Sequence, residues 1–198
     1  MAFAHPHGIA ILLAALGAPR ARFPAEVYAR DEDALPAGAD DAALSELARG
    51  LRYARRQVDA LPRAEAERFA AWLRHASQIP DHLAREMLVI DPLAVDELPL
   101  RERYRDHYGI GRGEAACLVL ARRHGAAVVF LSSDAAACRA AADLGLPYLT
   151  LPDVLVAWVD RLRPSVAEID ALIAGMRASR FGLTPAVIED LHRRAGSS

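Results

Sequence analysis

Lysine and asparagine are absent from this chain of 198 residues, and all 24 basic side chains are arginine. The base composition of a GC-rich genome accounts for that bias without a functional cause. Cysteine is scarce: Cys117 and Cys138 stand in apolar or alanine-rich segments and match no C-x-x-C spacing. That excludes a disulfide framework and leads us to expect reduced core thiols in a cytoplasmic protein. Aromatic residues make up 6% of the chain, too few to make a base-stacking platform evident. No excess of charge exists either. A net charge of −2 excludes a strongly basic nucleic-acid coat, although a local basic groove needs only clustered charge. No apolar run approaches the ~20 residues that a membrane helix requires. The run GIAILLAALGA at 8–18 has the length of a signal-peptide core but lacks the preceding positive charge, so secretion is not expected.

What is present is the composition of a folded protein, with 53% hydrophobic and 25% charged residues. The length suits a single domain over 1–198 with a core that needs no staples. MAFA at 1–4 reads as a short strand and Ile9 to Leu16 as a buried helix. ARFPAEVYA at 21–29 reads as a strand followed by a helix with Pro24 near its first turn. After a loop at 31–40, Leu44, Leu47, Leu51, Ala54 and Val58 recur at helical spacing, as do Ala66, Phe69, Ala70 and Leu73. This block, 40–85, reads as a helical insertion in an α/β plan. A strand is expected within 86–93, then a polar, arginine-rich connection.

The pattern then becomes regular. A helix is expected over 113–124, a strand over 126–131, a helix over 135–144 ending at Gly145, a strand over 147–151 and a helix over 154–162. Such alternation predicts an α/β fold: a three-layer α/β/α sandwich with a mostly parallel central sheet. Ser165 to Glu168 forms a capping box, and Thr184-Pro185 an N-cap with proline in the first turn, so two helices close a C-terminal extension over 164–198.

Three acids draw notice in that plan. Ligands of open α/β sheets bind beyond the carboxyl ends of the strands. Asp134 and Asp153 follow the expected strands 126–131 and 147–151, and Glu114 opens the helix whose first turn returns to the same rim. Each has a plainer role: Asp134 and Asp153 as helix caps, Glu114 as a complement to a helix dipole. Two carboxylates ~4 Å apart repel by roughly 4 kcal/mol at an effective dielectric near 20, which suits a site made for a cation.

The succession G-E-A-A at 113–116, apolar helix, apolar strand, Ser133-Asp134, Arg139, G-L-P at 145–147, strand and apolar helix resembles the PIN-domain family. The likeness covers about 109–162. It extends to the tail SRFGLTPAVIEDLHRRAG, similar to an uncharacterised, toxin-like branch, and to the first helix and the segment after it. The resemblance implies a PIN-like fold and a metal-dependent endoribonuclease in which acidic residues hold Mg²⁺ or Mn²⁺. By motif, Glu114 and Asp134 are the catalytic metal ligands. Asp31 or Glu32 lies near a further acid, and Asp153 is a looser match. Where the family carries an aspartate at the end of its first strand, this chain has His5, with His7 two residues on. Either His5 substitutes as a ligand, since histidine binds Mn²⁺ or Zn²⁺, or the first-strand ligand is lost.

The implied partners are RNA and, for a toxin of a toxin–antitoxin pair, an antitoxin or other protein, or a second copy in a homodimer, bound through the tail helices. No membrane is expected as a partner. Arg101, Arg103, Arg105 and Arg112 could bind phosphates beside the acids or stay solvated among Glu102 and Asp106. The alternative function is a catalytically degenerate module that binds RNA or a protein. A nucleotide-binding α/β protein ranks last, because neither G-x-G-x-x-G nor a Walker A loop follows any expected strand.

Overall fold

Alanine, leucine and arginine fill most of this sequence, and all three favour helix. The computed structural model, which describes residues 8–29, 44–178 and 182–196, is accordingly 70% helical. The described helices are α1 (Gly8–Leu16), α2 (Glu46–Ala60), α3 (Arg63–Ala76), α4 (Ile79–Ala84), α5 (Leu98–Tyr108), α6 (Arg112–His124), α7 (Ala135–Asp143), α8 (Leu151–Leu162), α9 (Val166–Ala178) and α10 (Pro185–Gly196). Single 3-10 turns stand at Val95–Glu97 and Gly125–Ala127. The strands are β1 (Ala21–Phe23), β2 (Leu88–Ile90), β3 (Phe130–Leu131) and β4 (Tyr148–Leu149).

The expected three-layer sandwich around a central parallel sheet is not formed by the described residues. The strands are two or three residues long and pair only as β1–β2 and β3–β4. The apolar run at 126–131 shows why. Its alanines join a 3-10 turn, and only Phe130 and Leu131 reach a partner, Phe130 opposite Tyr148 and Leu131 opposite Leu149, in parallel. Each strand has one neighbour, and Leu131 and Tyr148 each remain 40% exposed. A fully covered parallel sheet would bury such side chains on both faces.

Two further expectations are corrected. The segment after Pro24 is a turn, with the Pro24 carbonyl accepting from Val27 and Tyr28, and not a helix. The arginine-rich connection is helix α5. Its i, i+4, i+8 row of Leu100, Tyr104 and Tyr108 supplies an inward stripe, and Arg105 pairs with Glu102 at 2.6 Å across one turn. Expected strand 1–4 lies outside the described residues.

The chain divides into two units. The first comprises 1–21, 51–88 and 152–198. Its core takes Ile9, Leu12 and Leu13 from α1, Ile79 and Leu83 from α4, Val154, Leu155 and Trp158 from α8, and Ile169, Leu172 and Met176 from α9. The capping box at the head of α9 is present: Ser165 N–H donates to Glu168 Oε2 at 2.8 Å, and Glu168 N–H to Ser165 Oγ at 3.3 Å. Thr184 Oγ1 accepts from Val187 N–H at 3.4 Å to open α10.

The second unit comprises 22–50 and 89–151. Its axis is α6, with Ala115, Leu118, Val119 and Ala121 buried against Tyr104 and Ile110, Phe130, and Ala137, Ala140 and Ala141 of α7. Alanine on α7 lets that helix approach α6 closely, since nothing beyond Cβ stands between them. Gly109 and Gly145, at φ 64° and 66°, end α5 and α7 in the left-handed region where glycine is unstrained. Asp91, just past β2, ties this unit together: Arg123 meets it at 2.8 Å, His124 at 2.8 Å and Arg22 at 3.3 Å.

Candidate functional site

The Gly-Ile-Gly-Arg-Gly turn at 109–113 leads into α6 and leaves its first amides without helical partners. Two carboxylates take them. Glu114 reaches back, and its Oε2 accepts from Gly111 N–H at 2.7 Å. Glu46, 67 residues earlier, accepts from Gly113 N–H through Oε1 at 2.8 Å. A Cβ on Gly113 would collide with the Glu46 carboxylate, and one on Gly111 would meet the carboxylates of both Glu114 and Glu46. The glycines let the two carboxylates come close to the backbone, and the two acids flank one point at the head of the helix.

Asp134 joins them electrostatically. Its Oδ1 accepts from Ala137 N–H at 2.8 Å as the N-cap of α7, while its own N–H donates to Ser132 Oγ at 3.1 Å. Burial pushes the Glu114 carboxyl above its ordinary value, and the charges of Glu46 and Asp134 push the same way against the Gly111 hydrogen bond. The effect reaches Cys117 one turn on. Burial first, then Glu46, Glu114 and Glu26, raise its thiol to about 12, so it is an inert core thiol.

The neighbouring cations are spoken for. Arg101 binds Glu26 at 2.5 Å and Glu102 at 2.5 Å, and those carboxylates hold it above its ordinary value although burial opposes its charge. Arg112 donates to the Leu44 carbonyl at 3.2 Å, which draws the start of α2 onto the start of α6.

Of the five metal ligands expected from sequence, Glu114 and Asp134 come within electrostatic reach of one another. Asp153 stands in the first turn of α8, in the first unit. His5 and Asp31 lie outside the described residues, as does Glu32. Glu46 was missed. Its only local signal is an acid in a first turn after Ser45, which reads as dipole complementation; its tie to Gly113 spans too much sequence to be seen locally.

The donor chemistry of three carboxylates suits a hard divalent cation. Among the described residues, however, no group of three or more His, Cys, Asp or Glu side chains is arranged to hold a metal. No described helix is long and apolar enough to cross a membrane. Comparisons of the chain with protein-family models, with curated proteins and with solved structures found no match.

Proposed function

We propose that the chain is a metal-dependent endoribonuclease whose divalent cation, Mg²⁺ or Mn²⁺, is held by Glu114 and Asp134 together with ligands outside the described residues. The observation that carries this reading is the meeting of Glu114 and Glu46 at the glycine-lined head of α6, within electrostatic reach of Asp134, with Glu114 pushed toward protonation by burial and by those two neighbours. Such repulsion is relieved by a cation and serves no purpose in packing alone. Backbone donors on Gly111 and Gly113 orient the two glutamates, as second-shell hydrogen bonds orient ligating carboxylates. His5 and Asp31 are the remaining candidates to complete the ligand set.

A bound cation would lower the pKa of an attacking water and neutralise charge on the phosphoryl oxygens. The chain's part is to fix the oxygen donors, while the nearby Arg101 stays paired with Glu26 and Glu102. In this reading the protein acts in the cytoplasm as the toxin of a toxin–antitoxin pair, a PIN-like nuclease by motif, with α9 and α10 as the contact for an antitoxin or a second copy.

The test is cleavage of a mixed single-stranded RNA pool with Mn²⁺, with EDTA, and by Asp134→Asn. Cleavage that disappears in both controls supports the reading. No cleavage, together with no thermal stabilisation by Mn²⁺, overturns it. A second reading, a degenerate module that binds RNA or a protein without cutting, is favoured by one observation: Glu46 and Glu114 already serve as acceptors for backbone amides.

A further inference from the structure

The second unit carries a cleft of about 830 Å³ that shares no residue with the acidic cluster, lined by Leu100, Arg103, Tyr104, His107 and Tyr108 of α5 and by Arg122 of α6, with Asp106 also in its lining. The α5 residues fall at i, i+3, i+4, i+7 and i+8, so they form one face of that helix. A face turned wholly inward would be apolar. This one interleaves an arginine and a histidine with two tyrosines, and Arg103 and His107 are exposed.

The charge on that face is open. Arg22, Arg101, Arg105 and Arg123 of the same unit each have a carboxylate partner. Among the described residues neither Arg103 nor Arg122 meets a carboxylate. The Asp106 carboxylate is engaged by Arg105 at 3.0 Å. Arg122 is also held in place, because its Nη1 donates to the hydroxyl of Tyr104 at 2.8 Å, and that tyrosine is only 7% exposed. A solvated surface arginine has no such anchor. One of its five N–H donors is used, and the rest of the planar fork stays available. Beside it the rings are ordered: Tyr104 and Tyr108 meet edge to face at 6.1 Å, and His107 and Tyr108 at 4.6 Å.

Two guanidinium groups without a carboxylate partner call for a multivalent oxyanion, and phosphate matches their geometry. The aromatic wall calls for a flat ring attached to it. The cleft's volume lies within the range of small-ligand sites, roughly 300–1,000 Å³. We propose that this cleft binds a nucleotide, with Arg103 and Arg122 on its phosphate and Tyr108 and His107 against its base. The same chemistry is offered by a free mononucleotide and by one residue of an RNA strand. The inference needs no metal, so it goes beyond the hydrolytic reading and fails or survives apart from it.

The test is isothermal titration of the full chain in EDTA with adenosine monophosphate, with inorganic phosphate and with a short single-stranded oligoadenylate. The nucleotide or the oligomer binds more tightly than phosphate, and Arg103→Gln and Arg122→Gln each weaken that binding about tenfold. Tyr108→Ala weakens both base-bearing probes and leaves phosphate unchanged. Binding of the mononucleotide identifies a free-ligand site, and binding of the oligomer alone identifies a strand site; both support the proposal. No binding of either, or binding that the Arg103→Gln, Arg122→Gln double variant leaves intact, overturns it. Circular dichroism establishes that the variants are folded, as expected for Arg103 on an exposed surface. Nucleotide binding without RNA cleavage keeps this proposal and overturns only the hydrolytic one.

Discussion

Glu114 and Asp91 are both carboxylates in the second unit, yet their surroundings push them in opposite directions. At Glu114, burial and two like charges favour the protonated form. The folded state then binds its proton more tightly than the unfolded chain does. Stability therefore falls as pH rises from the ordinary carboxylate range through the raised folded value. Glu114→Gln keeps an acceptor for Gly111 and removes the repulsion. We expect it to raise the neutral-pH stability, read from thermal melting, slightly, by about a fraction of a kcal/mol, because solvent screens a partly exposed group. It should also abolish any thermal stabilisation by Mn²⁺. At Asp91, burial opposes ionisation, but His124, Arg123 and Arg22 outweigh it and lower the pKa. Its stabilising contribution is present above the ordinary unfolded value and lost as pH falls through the lower folded value. Asp91→Asn should cost about 1.5–3 kcal/mol at neutral pH in urea titrations and flatten the acid limb of stability against pH.

Asp134 has a structural role that is separable from a catalytic one, because asparagine and aspartate cap helices about equally well. Asp134→Asn should leave the stability of α7 nearly unchanged, whereas Asp134→Ala should cost about 0.5–2 kcal/mol. If Asp134 also holds a cation, both variants lose Mn²⁺ stabilisation and cleavage, and the asparagine variant does so without unfolding. At α6, Gly113→Ala should swing the Glu46 carboxylate aside with little change in thermal stability, because the lost hydrogen bond is offset by the roughly 1 kcal/mol that alanine gains over glycine in a helix.

These elements also show how far local pattern reading reached. Helices α6, α7, α9 and α10 were legible because their apolar stripes and caps are local: Glu114, Asp134, Ser165 and Thr184 all act within three residues of themselves. Helix α5 was obscured by its charge, since Arg101 to Asp106 masks the Leu100, Tyr104, Tyr108 row. The sheet was overread because a continuous apolar run fits a buried strand and a packed non-strand segment equally well. Two of the three acids in the cluster were legible, because Glu114 and Asp134 mark their own helices, while Glu46 acts on a helix distant in sequence.

Across the whole chain, the division into units offers a convenient reporter. Both tryptophans, Trp72 and Trp158, belong to the first unit, whereas the acidic cluster and the arginine cleft belong to the second. Tryptophan fluorescence in denaturant therefore follows the first unit. Leu155, 1% exposed in its core, should cost about 2–5 kcal/mol when replaced by alanine, and the fluorescence midpoint should fall accordingly.

The bond from Gly113 to Glu46 carries a consequence in time. A ribosome that has just added Glu46 must add 67 more residues before its partner exists. At roughly 5–20 residues per second that interval lasts several seconds, and the exit tunnel lengthens it. The acidic cluster therefore cannot assemble on the early nascent chain. Whatever chemistry the cluster supports is withheld until more than half of the sequence has been translated.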